Sequence, residues 1–127
     1  MSKIQEFLKN QEKSVMSTVE GKTIIDYFNS NAEEVPEYPA LNTPINSEYT
    51  GWDSLSWSAY RETVHNLASG LIDIGLQAED NAFIVANNVK EHFICDLGIM
   101  HAGAVPSTIY KQLKSGQIEY ISNLLEA

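Results

Sequence analysis

Apolar residues recur every three or four positions through Tyr60, Val64, Leu67, Ala68 and Leu71, a spacing that predicts an amphipathic helix over 58–76. Ser58 is its expected N-cap and Gly75 its left-handed C-cap. The short β-rich run Ala82 to Ala86, bounded by Asp80 and Asn87, predicts a strand buried on both faces. A helical pattern resumes from Val89 to His101 through Phe93, Ile94, Leu97 and Met100, and Gly103 ends it. Ala104 to Tyr110 reads as extended, with Pro106 leaving one side of its start without a ladder bond. Ser115 is the expected cap of a last helix through Ile118, Ile121, Leu124 and Leu125.

The first half is patterned less strongly. Residues 1–22 form a polar leader whose apolar positions Ile4, Phe7, Leu8, Val15 and Met16 make a weak helical stripe. It is expected to pack, frayed, on its own domain; a membrane-surface helix is the alternative. Thr23 caps a short helix carrying Ile24, Ile25, Tyr27 and Phe28 and ending near residues 29–31. Pro36, Pro39 and Pro44 forbid a long helix, and Ala40 with Leu41 suggests a short strand. The alternating run Trp52 to Trp57 is the returning arm of a hairpin.

Strand, helix, strand, helix is the rhythm of a parallel sheet with helices on its faces. The expected class is therefore α/β: a partial parallel sheet of βαβα units preceded by a small β-hairpin, in one domain over 23–127. Two strands cannot bury two helices, so the sheet is expected to be incomplete, and self-association or partial disorder should follow. There is no internal repeat or low-complexity segment.

The formal charge of −9, from 17 acidic and 8 basic residues without a like-charge run, describes a solvated acidic surface. Nucleic acid is excluded as a partner, since phosphate binding needs clustered Lys and Arg. No apolar run approaches the roughly 20 residues that span a bilayer, and the N-terminus does not read as a signal peptide. With Cys95 alone, no intrachain disulfide can form; a reducing, cytoplasmic location and a small buried apolar role for that residue are expected.

Candidate chemistry is sparse. The seven glycines form neither GxGxxG nor GxxxxGK[ST]. His65, His92 and His101 lack partners at metal-ligand spacing and read as packing or surface histidines. Ser56, Ser58 and Ser69 have neither a nucleophile-elbow setting nor a paired base. Glu79 beside Asp80 could be a carboxylate pair, though a solvated turn before a strand explains it more simply; Asp96 reads as a surface or capping charge. No catalytic, cofactor-binding or metal residue is assigned within the chain.

The runs LSWSAYRETVHNLASGLIDIGL, AEDNAFIVANNVKEHFICDLGIMHAGAVPSTIY and SGQIEYISNLLEA together resemble the opening segment of AMP-forming acyl-CoA synthetases, and most of all their long-chain fatty-acid branch. The resemblance rests on Trp57, Tyr60, Leu67, Ala68, Gly70, Leu71 and Gly75, then Asp80, Asn88 and Glu91, then His101 through Pro106 and Tyr110. It covers 23–127, Thr23 to Phe28 and Pro39 to Leu41 fitting the family's first helix and strand. Three positions depart from the pattern: the family usually has Gly at Glu79, Arg at Asn81 and Thr at Gln112. The resemblance implies a parent enzyme that joins a fatty carboxylate to ATP with Mg²⁺, giving acyl-adenylate and pyrophosphate, after which coenzyme A displaces AMP. Its phosphate loop, ribose carboxylate and lid lysine lie downstream of Ala127, so the 127 residues alone are expected to be inactive. The parent would be cytoplasmic, with peripheral membrane contact an option. A stand-alone binding module of the same descent is the alternative; a receiver-like domain is disfavoured because the strands are too few.

Overall fold

The structure, a computed structural model, describes residues 2–125. Its elements are α1 Lys3–Val19, α2 Ile24–Glu34, β1 Pro39–Pro44, β2 Trp52–Ser56, α3 Trp57–Asp73, β3 Asn81–Ile84, α4 Lys90–His101, β4 Val105–Thr108 and α5 Ser115–Leu125. β1 and β2 form an antiparallel hairpin, and β3 pairs with β4 in parallel. This is the expected α/β class. Glu126 and Ala127, which close the resembling run, lie outside the described residues.

Thr23 caps α2 as expected: its hydroxyl accepts from the Asp26 amide, while the Asp26 carboxylate accepts from the Thr23 amide at 2.6 Å and its hydroxyl at 2.8 Å. Those bonds hold the Asp26 carboxyl below its usual range, the Thr23 backbone bond most. The helix runs past 29–31 to Glu34 because Ala32 is buried in the core; Pro36 then stops it. Two other caps fall elsewhere than predicted. α3 is capped by Ser56, whose Oγ accepts from the Ala59 amide, while Ser58 lies in the first turn. At α5 the Gln117 side chain accepts from the Lys114 amide, and Ser115 is already helical.

α4 is the hub. It packs along α3 and reaches β1, β3 and β4 as well as α2. Ile94 and Leu97 join an aromatic cluster of Phe28, Trp57 and Tyr60 around fully buried Val64, while Cys95 and Ile99 join a second cluster with Ile84 and Ala104. Cys95 is thus half-buried core, close to its expected role. Phe28 meets Tyr60 edge-on at 5.0 Å and the His101 ring at 5.5 Å, contacts worth about 0.5–1.5 kcal/mol for each aromatic pair. Gly98 lets the helices close: a Cβ there would stand 2.7 Å from Leu67 Cδ2 and 3.0 Å from its Cγ.

Helices α3 and α4 end alike. After α3, the Gly75 amide donates to Ile72 and the Leu76 amide to Leu71; after α4, the Gly103 amide donates to Met100 and the Ala104 amide to Ile99. These are paired Schellman closures, with Gly75 at φ 110° and Gly103 at φ 81°, where only glycine sits without strain. They deliver the chain into β3 and β4. Val105 and Ile109 donate to the Asp80 and Ile84 carbonyls, so alternate Pro106 faces away from β3 and its missing N–H costs no ladder bond.

Two expectations are corrected. β3 is not buried on both faces: Ile84 is buried, but Val85 just beyond it is 57% exposed, because α4 covers one side only. Nor does the leader pack on its domain. α1 buries no residue; the Tyr27 hydroxyl donates to its Thr18 carbonyl at 2.6 Å.

Gly98→Ala should lower the urea midpoint by the equivalent of about 1 kcal/mol, since overpacking of about 1–3 kcal/mol outweighs the roughly 1 kcal/mol gain in helix propensity. In a Leu67→Ala background the same change should become neutral or stabilising; equal losses in both backgrounds would contradict the close approach.

Candidate functional site

A parallel sheet offers ligands the crevice beyond the carboxyl ends of its strands. Here the chain leaving β3 carries Asn87 and Asn88 into the N-terminus of α4, and the chain leaving β4 carries Ile109 to Gln112 alongside. Between them lies a cleft of about 330 Å³ lined by Asn87, Asn88, His92, Thr108, Tyr110 and Lys111, among others. His92 Nε2 lies 2.9 Å from Thr108 Oγ1, a hydrogen bond that ties the first turn of α4 to the last residue of β4. Val89 leads into α4 without a side-chain cap, and in the first turn the His92 amide donates to the Val89 carbonyl. Lys111 supplies a cation. This arrangement can hold a polar or anionic group.

The histidines divide between two places. His92 faces the cleft. His65 and His101 meet with ring centroids 5.1 Å apart against Phe28; His101 Nδ1 lies 2.7 Å from the Leu97 carbonyl, and its buried Nε2 has no partner. The packing reading fits this pair, whereas His92 was not recognisable as a cleft residue because its partner Thr108 is 16 residues away in the next unit. Asp96 is half-buried rather than a surface charge: burial first, then the Asp96 carboxylate, pushes the Tyr60 hydroxyl up to about 12. Asp80 and Glu79 form a solvated turn, the Asp80 carboxylate accepting from the Gln77 amide at 2.8 Å. Among the described residues no group of three or more His, Cys, Asp or Glu could hold a metal ion. The sequence has no glycine-rich loop ending in Lys of the kind that cradles phosphates.

The AMP-binding enzyme family model matches residues 28–127. The chain belongs to this family. It is 29% identical over 114 residues to the long-chain-fatty-acid–CoA ligase heimdall of Drosophila melanogaster, covering 88% of this chain and 17% of that protein. It is 28% identical over 110 residues to an uncharacterized protein of Mycobacterium tuberculosis, covering 86% of this chain and 60% of that one. In three dimensions it resembles the N-terminal subdomain of Klebsiella oxytoca NpsA, with a TM-score of 0.71 at 20% identity over 82% of this chain and 26% of that one. The family fold is therefore that of the N-terminal part of adenylate-forming enzymes, as the residues from Trp57 to Tyr110 implied. The chain spans under a fifth of the fly ligase and three fifths of the mycobacterial relative.

The three departures from the family pattern are structurally absorbed. Glu79 keeps the left-handed backbone, φ 70°, that glycine would adopt freely, and its amide donates to the Gly103 carbonyl at 2.8 Å. Asn81 uses its amide to bond the Leu125 carbonyl at 2.6 Å, securing the end of α5. Gln112 lines the cleft.

Exposed Glu79 should therefore be improvable. Glu79→Gly relieves roughly 1–2 kcal/mol of left-handed strain against about 0.5–1 kcal/mol of added chain freedom, so Tm should rise by about 1–4 °C, while Glu79→Ala should give no rise.

The His65 pKa is lowered, by burial first, then by His101 and Arg61. A histidine depressed in the fold contributes stability above its unfolded value near 6.5 and loses it as pH falls through the folded value. Tm should drop as pH is lowered from about 7.5 to 5.5, and His65→Gln should flatten that drop; an unchanged slope would remove the pair as its cause.

Proposed function

We propose that this segment is scaffold in an AMP-forming acid–thiol ligase acting on long-chain fatty acids. In that reaction the fatty carboxylate attacks the α-phosphate of ATP, releasing pyrophosphate, and the coenzyme A thiol then displaces AMP from the acyl-adenylate. The observation that carries the reading is the family match over 28–127 together with identity to a fatty-acid ligase across 88% of the chain. ATP, Mg²⁺ and coenzyme A are assigned to other parts of the parent, a reading supported by the lack of a glycine-rich phosphate loop in this sequence. This segment's own contribution is the α3–α4 platform and the cleft wall tied by His92 and Thr108.

A second reading has its own support. In the mycobacterial relative the matching segment makes up 60% of the protein, so the family segment also occurs in proteins only modestly longer than this one. On that reading the present chain is a binding module rather than part of a ligase.

Palmitate-dependent exchange of pyrophosphate into ATP separates them. A protein joining this segment to family sequence with the phosphate loop and lid should exchange, and the 127 residues alone should remain at background. Exchange by the 127 residues would overturn the scaffold assignment; a longer protein inert with palmitate would overturn the reaction and favour the binding module.

A further inference from the structure

We infer that α1 is a self-association helix that pairs antiparallel with α1 of a second copy of this chain. Its six large apolar residues, Ile4, Phe7, Leu8, Val15, Met16 and Val19, are each at least 39% exposed, and none packs on the body. Except for Met16, which flanks it, they gather on one stripe at 3.6 residues per turn, with Gln11 at its middle.

The pattern is palindromic. Reversing the helix about the point between Gln11 and Glu12 brings Ile4 level with Val19 and Leu8 level with Val15 across the seam, so the apolar positions at its centre meet apolar ones and the polar middle meets itself, while Phe7 and Met16 stay on opposite edges. That self-complementarity is what a two-fold interface requires, since the same patch must serve both partners. Charge selects the direction. A two-fold axis relating antiparallel helices brings matching flanks together, and one flank carries both Lys9 and Glu12. Each Lys9 then lies one turn or less from Glu12 of the second copy, making two opposite-charge pairs, and the helix dipoles also run opposed. In a parallel pair the Lys9–Glu12 flank would instead face the Phe7, Ser14 and Asn10 flank.

Charge also disfavours an anionic lipid surface. α1 holds three of the eight basic and two of the 17 acidic residues, so it is +1 while the rest of the chain is −10. The inference does not depend on the ligase reading. With only two to three heptad-lengths of seam, the pair is expected to be weak and concentration-dependent.

Sedimentation equilibrium of the 127-residue chain up to about 200 µM, a range suited to micromolar affinities, should show mass rising from 14.2 kDa towards twice that value. Leu8→Glu with Val15→Glu should hold it at the monomer mass. Lys9→Glu or Glu12→Lys alone should weaken the dimer, and the two together should restore it. To read direction, mixed Ile4→Cys and Val19→Cys chains in a Cys95→Ser background should form a heterologous disulfide much faster than either chain links to itself. A wild-type monomer throughout, a dimer that survives Leu8→Glu with Val15→Glu, or preferential self-linking of Ile4→Cys overturns the proposal. So does a monomer that instead co-sediments with phosphatidylcholine–phosphatidylserine vesicles.

Discussion

The fold depends on how closely α3 and α4 approach. Gly98 presents bare backbone to Leu67, and that absence of a side chain lets one helix serve two hydrophobic clusters at once. On one side, Val64 and the rings of Phe28, Trp57 and Tyr60 anchor α2 and the hairpin; on the other, Ile99 and Ala104 meet Ile84 beneath the sheet. Interiors pack at crystal-like density, so a helix standing off by a methyl group would loosen both clusters together. Everything that shapes the cleft hangs on α4, since the same helix offers His92 at its start and delivers β4 at its end.

Electrostatics plays a secondary part. The ion pairs Arg61–Glu33 and Lys90–Asp53 involve exposed carboxylates and contribute little each, although the second ties the hairpin to the start of α4. The more consequential polar groups are half-buried ones: Asp96 beside Tyr60, and His101 with a buried nitrogen left unpartnered. Both lie in the aromatic cluster, away from the cleft, and their effect falls on stability.

Sequence pattern made the second half legible because its signals are local. The three-to-four spacing from Tyr60 to Leu71 and the glycines at 75 and 103 mark helices and their ends without reference to anything distant. Cap positions were harder: Ser56 and Ser58 both offer hydroxyls, and only the bond to the Ala59 amide separates them. Burial of β3 was misjudged because a β-rich apolar run does not reveal how many of its sides the rest of the fold covers. The leader was misread for a related reason, since an amphipathic stripe identifies a face but not its neighbour. The cleft was the least visible feature. His92 and Thr108 belong to different units, and only parallel pairing of β3 with β4 brings them within hydrogen-bonding distance.

The twin glycine closures have a consequence for how such a segment can change. Both strands are aligned at their entry ends, where the Glu79 amide bonds the Gly103 carbonyl and the Val105 amide bonds the Asp80 carbonyl. Alignment is thus set where each strand begins and is closed at the exit by the Ile109 amide on the Ile84 carbonyl. Beyond Ile109 no ladder step remains to be kept, so that part of the crevice wall can diversify in length and chemistry while the ladder beneath keeps its step.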